Sequence, residues 1–172
     1  MRQDERARHV HAEPFLFSLY LNVQDPLIGG MGNERVALRR AIALGWDADT
    51  LIRIVLAGQA IPANQMIPPG VGGHDPTLPV KASYDPATAN ALLDRFGYRR
   101  GPDGMRANPD GSPLAVHMIV STTSSGRRVA EFMKKSFDRI GVRVEFDTMP
   151  PGDRLKRMST CKHQLTTMDF GG

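Results

Sequence analysis

The chain has 172 residues, 41% of them hydrophobic and 23% charged, values of a globular domain and not of a disordered tail. A net charge of +4 permits an anionic partner, but the basic residues do not interleave with aromatics. One Trp and three Tyr supply no stacking platform, so nucleic-acid binding is not expected. Cys161 is the only cysteine, which excludes an internal disulfide and a CxxC metal site. No apolar run approaches the roughly 18 residues needed to span a bilayer, so direct membrane insertion is not expected either.

Residues 1–13 are charged, and a poorly ordered, helical or hinge-proximal N-terminal segment is expected there. Met1-Arg2-Gln3-Asp4-Glu5-Arg6 has no apolar core after its charges and is not a signal peptide; an exported parent would carry its leader outside this sequence. His9 and His11, at i and i+2, are too few for a metal site. Residues 14–172 are expected to form one lobe. Phe15, Phe17, Leu19 and Leu21 alternate with Leu16, Ser18, Tyr20 and Asn22, apolar enough on both faces for an interior strand. Asn33 is expected to cap a helix whose inner face carries Val36, Ala37, Ala41 and Leu44. Gly45-Trp46 breaks it, and Asp47 or Asp49 caps a second helix with Leu51, Ile52, Val55 and Leu56 inward and Gly58 at its end.

Five prolines between Ile61 and Pro79 forbid regular structure there. Asp85-Pro86 starts a third helix, with Ala89, Leu92, Leu93 and Phe96 on its apolar face and Gly97 as its stop. Asp103-Gly104 and Asp110-Gly111 mark turns, and a hairpin excursion is expected over 101–113.

Leu114–Ser121 alternates as a largely buried strand. A polar turn, Ser121 to Gly126, follows. Val129, Phe132, Met133, Phe137 and Ile140 then recur at helical spacing until Gly141, a left-handed cap. Val142, Val144 and Phe146 alternate with Arg143, Glu145 and Asp147 as a strand with one wet face. Strand, helix, strand over some 35 residues is a βαβ unit with parallel strands. A short basic helix after Pro150-Pro151 and a last strand over Gln164–Phe170 complete the pattern. The fold class is α/β: a small mixed sheet with at least one βαβ unit and flanking helices.

The turn before the long helix is a candidate ligand site. Ser124 and Ser125 offer hydroxyls and free N–H groups, and Arg127 and Arg128 offer guanidinium groups, a set suited to carboxylate or phosphate. Capping of that helix by Ser124 or Ser125 is the plainer role. Asp169 and Phe170 close the last strand, where Asp169 is a candidate partner for a ligand amine. His74, His117 and His163 have no acidic spacing that makes a triad, so no catalytic residue and no cofactor is called for. Cys161 reads as a packed or half-exposed thiol. The nine methionines read as core filler, with an adaptable ligand wall as the lesser alternative.

Four segments together resemble family 5 of the extracellular solute-binding proteins of ABC importers. Arg35 to Asp47 is similar to its "RVRxAxxxxxDR" stretch, although Ala48 stands where the family has Arg. Gly58-Gln59-Ala60-Ile61-Pro62-Ala63 with Ile67-Pro68-Pro69-Gly70 follows in the family's order. Tyr84 to Leu93 resembles "YDPxKAxxLL", with Phe96-Gly97-Tyr98 after it, and Ile140-Gly141-Val142-Arg143-Val144 resembles "iGIxv". The resemblance implies one lobe of a type II (class C) periplasmic binding protein, here the second lobe without the first. It implies binding of oligopeptides or a related small solute in an interlobe cleft and delivery to an ABC permease, with a periplasmic location for the parent and no enzymatic activity. In that family the last strand leads into a segment bearing a cleft aspartate that holds a peptide's amino group; that segment does not occur in this sequence. Two alternatives come from other classes: an α/β enzyme acting on a phosphate ester through the Ser121–Arg128 turn, and a basic nucleic-acid-binding domain built on the helix pair Val36–Leu56.

Overall fold

Seven residues, Ala115–Ser121, buried at Val116 and from Met118 to Val120, form a strand that pairs in parallel with Arg143–Met149, and the helix Ser124–Ile140 joins them. The computed structural model describes residues 15–63, 65–78 and 84–171, with the backbone alone at 15 and 169–171. The expectations for residues 1–13, including His9 and His11, lie outside the described residues. In chain order the elements are β1 (Phe15–Leu21), α1 (Asn33–Leu44), α2 (Ala48–Ile54), α3 (Pro86–Arg95), β2 (Ala115–Ser121), α4 (Ser124–Ile140), β3 (Arg143–Met149), α5 (Pro151–Ser159) and β4 (Leu165–Gly171).

The four strands make one mixed sheet in the order β1-β4-β2-β3, with β1 antiparallel to β4 and β2 parallel to both its neighbours. This is the expected α/β class. Among the described residues, however, β1 has β4 alone beside it and stands at the sheet's edge, not in its interior. Its apolar pattern reports burial of its faces, which a helix or loop can supply without a second neighbouring strand. Phe17 is half-buried, stacked at 6.1 Å on Trp46, whose ring in turn meets Phe132 edge-on at 5.9 Å.

The core lies between the sheet and α4. Val116, Met118 and Val120 face Val129, Met133, Phe137 and Ile140, all buried. Each such side chain contributes roughly 1.5–3 kcal/mol by leaving water. α1 and α3 extend this layer, and Tyr98 Oη donates to the Glu34 carbonyl at 3.0 Å to tie them. α5 covers part of the opposite face, where Ile119 and Thr166 are buried.

Caps decide several boundaries. Asp47 and Asp85 accept from Thr50 N and Thr88 N as expected. α1 begins after Gly32, with Asn33 inside the helix and no side-chain cap. Gly141 ends α4 at φ +72, the left-handed conformation expected of it. Over 101–113 there are two isolated antiparallel bridges, Arg100 with Arg106 and Ala107 with Pro113, in place of a hairpin of strands. Arg106 explains this: its buried guanidinium donates to the carbonyls of Ile140, Tyr98 and Asn90, so the segment is pinned to helix ends. Cys161 is exposed, not packed. Met118 and Met133 are core, but Met31 and Met66 are exposed, so core filling accounts for only some of the methionines.

Candidate ligand-binding rim

The carboxyl ends of the parallel strands meet along one edge of the sheet. β2 ends at Ser121 opposite Met149, the last residue of β3, and Thr122 N donates to the Met149 carbonyl at 3.0 Å. β4 pairs with β2 at Met118–Leu165 and Ile119–Thr166. Continuing that register, Asp169 and Phe170 stand past the end of β2, by roughly 3.3 Å per residue. They pair with Phe17 and Leu16 of β1. Ligands of open α/β sheets lodge beyond the carboxyl ends of the strands, so this is the edge where a site is expected.

The link from β2 to α4 is two residues long, much tighter than the six-residue polar turn the sequence pointed to. Thr123, not Ser124 or Ser125, is the N-cap: its Oγ1 accepts from Gly126 N at 3.1 Å. The missed signal was the run Thr122-Thr123-Ser124-Ser125, four residues of good capping type whose choice depends on where β2 lets go. Gly126 is required by packing, since a Cβ there would lie 2.9 Å from the Ser121 carbonyl carbon and closer still to its oxygen. Ser124 and Ser125 are exposed in the first helical turn, which carries no acidic residue. Among the described residues no protein acceptor serves their N–H groups. The positive end of a helix of 17 residues is thus open at the rim.

The two arginines part company. Arg127 turns back to the rim, its Nη1 3.4 Å from the Thr122 carbonyl. Arg128 lines a groove between α2 and α4 instead. Arg154 of α5 donates to Thr166 Oγ1 at 3.2 Å and to the Thr167 carbonyl, holding α5 against β4.

A larger open groove, about 700 Å³, lies between the end of α5, the start of β4 and the middle of β2 and β3, lined by Asn22, His117, Asp147, Arg157 and Gln164 among others. Many of its polar groups serve one another. His117 lies 3.5 Å from Glu145 and 3.8 Å from Asp147, Arg157 lies 3.2 Å from Asp147, and Asn22 Nδ2 donates to the Cys161 and His163 carbonyls. Among the described residues no group of three metal-ligating side chains occurs, and no helix is long and apolar enough to cross a membrane.

The model of the bacterial extracellular solute-binding proteins, family 5 (middle), matches residues 6–172. The chain belongs to this family. Among curated members it is similar to the dipeptide-binding protein of Escherichia coli K12, 28% identical over 140 residues, and to di/tripeptide-binding protein 2 of Pseudomonas aeruginosa, 31% identical over 137 residues. These matches cover 81% and 78% of the chain but 24% of each relative, so the chain spans about a quarter of their length. Among solved structures it is similar to NikA from Brucella suis in complex with Fe(III)-EDTA, with a TM-score of 0.77, 24% identity and coverage of 93% of this chain and 31% of that one. The oligopeptide-binding protein AppA from Bacillus subtilis, in complex with a nonapeptide, gives a TM-score of 0.78 at 15% identity, over 92% of this chain and 31% of that one. At those identities the structures speak for the fold, which is that of the family. The family is one of solute-binding proteins and not of enzymes, and nothing in it favours phosphate-ester chemistry at the Ser121–Arg128 turn.

Proposed function

We propose that the chain forms one lobe, residues 14–172, of the substrate-binding component of an ABC importer, and that its strand-end rim is half of an interlobe cleft for a peptide or a related small solute. Support comes from the family membership and from one observation: the open N-terminus of α4 and the end of β4 converge on the same edge. In this reading Ser124, Ser125 and Arg127 meet a carboxylate of the solute. A helix N-terminus favours negative charge, and the guanidinium adds a charge-assisted bond. Asp169, with Phe170 beside it, meets the amine about a few residues away along the edge. Main-chain and charged contacts at the two ends leave the middle of the solute loosely specified, as suits a receptor for varied side chains.

Closure of the two lobes about a hinge would bury the solute, and the membrane permease would recognise the closed form on the periplasmic side. The isolated chain presents one wall only, so titration calorimetry with di- and tripeptides should give no affinity tighter than about millimolar; micromolar binding would show that no second wall is needed. In the longer protein, Ser125→Glu places a negative charge at the rim and should weaken peptide binding at least about tenfold. An unchanged affinity would remove α4 from the site.

A further inference from the structure

The groove that receives Arg128 is separate from the rim and has its own electrostatics. It encloses about 250 Å³ between α2 and α4. Arg128, Lys135 and Arg139 of α4 line it together with Arg53 of α2. Two carboxylates also reach it. Asp47 is already committed: it caps α2 through Thr50 N at 3.0 Å and lies 3.6 Å from Arg139, whose Nη1 also donates to Tyr84 Oη at 2.6 Å. Glu131 is the other. Among the described residues no carboxylate stands within 4 Å of Arg53, Arg128 or Lys135, and the bond Arg53 makes is to the neutral Thr50 hydroxyl at 3.3 Å. Three positive charges therefore face one uncommitted carboxylate across a cleft whose wall includes the buried Phe132.

We propose that this α2–α4 groove is a binding site for a small multivalent oxyanion, one carrying two or more phosphate or carboxylate groups. A concave surface with an excess of positive charge and a low-dielectric wall concentrates anions, and cations from two different helices favour an anion with more than one charged end. Two arginines offer planar forks for bidentate contact, and Lys135 adds a point charge. The volume suits an anion of the size of pyrophosphate or citrate. Bound there, the anion would relieve the mutual repulsion of Arg53, Arg128 and Lys135 and draw α2 toward α4.

The test is an amide NMR titration of the 172-residue chain with pyrophosphate and, separately, with citrate at constant ionic strength. Saturable shifts are expected at Thr50–Ile54 and Arg128–Arg139. Tighter binding of pyrophosphate assigns the site to phosphates, and tighter binding of citrate to carboxylates. Lys135→Glu should weaken the binding at least about tenfold. Lys156→Glu on α5, the same change of charge away from the groove, should alter it less than about twofold by the general field alone. If Lys135→Glu loses amide dispersion, Lys135→Gln replaces it, with a loss of about threefold expected. No saturation, shifts centred elsewhere, or equal effects of the two charge reversals would overturn the proposal.

Discussion

Arg106 Nη1 lies 2.6 Å from Asp94 Oδ1, with the arginine side chain sealed from solvent and the aspartate 64% exposed. The pair draws on opposite environments. The guanidinium is held by the carbonyls of Ile140 and Tyr98 and by Asn90 Oδ1 as well, so it gathers the end of α4, the end of α3 and the following turn around one charge.

Removing the arginine leaves those carbonyls without their donor and opens a void. Arg106→Ala should cost about 3 kcal/mol or more in urea unfolding. Arg106→Lys should recover little, because an ammonium cannot reach the same set of acceptors in one plane. Asp94→Asn should cost less than about 1 kcal/mol, since water already screens that carboxylate. Equal costs for Arg106→Ala and Asp94→Asn would mean that the ion pair, and not the carbonyl network, is what holds this corner.

Two glycines in helical first turns give opposite predictions. Gly126→Ala drives a Cβ into the Ser121 carbonyl, and backbone has to move, at about 2–3 kcal/mol. Gly152→Ala in α5 meets nothing within 4 Å and should be neutral or stabilising by about 0.5 kcal/mol. Denaturant midpoints for the two variants check both. A neutral Gly126→Ala would show that the junction of β2 and α4 is looser than its geometry.

Mild acid should weaken the fold through His163. Burial pushes its pKa down, against the raising effects of the Arg157 carbonyl and the Asp25 charge, and its Nδ1 is enclosed without a hydrogen-bond partner. A folded-state pKa below the unfolded value of 6.5 means that the unfolded chain binds more protons. Its contribution is therefore whole above about pH 6.5 and is lost as pH falls through the folded value. Urea midpoints at pH 8 and pH 5 should differ more for the natural protein than for His163→Gln. Equal differences would contradict this assignment.

Local pattern carried much of this fold. The period of two over Leu114–Ser121 and the helical spacing from Val129 to Ile140 marked the βαβ unit, because burial on one face leaves its period in any chain that folds around it. Gly141 and Asp85-Pro86 announced their boundaries for the same local reason. The capping of α4 was not so legible: four hydroxyl residues in a row are equivalent until β2 and the close contact at Gly126 select Thr123.

The amino-acid order by itself determined the helices, the strands and the family, since turn chemistry and hydrophobic period act over a few residues. Only the tertiary structure decided that β1 lies at an edge, that Arg127 and Arg128 serve different surfaces, and that Arg106 is buried. Those outcomes depend on which distant segments come together, and a side chain's neighbours across space leave no period along the chain.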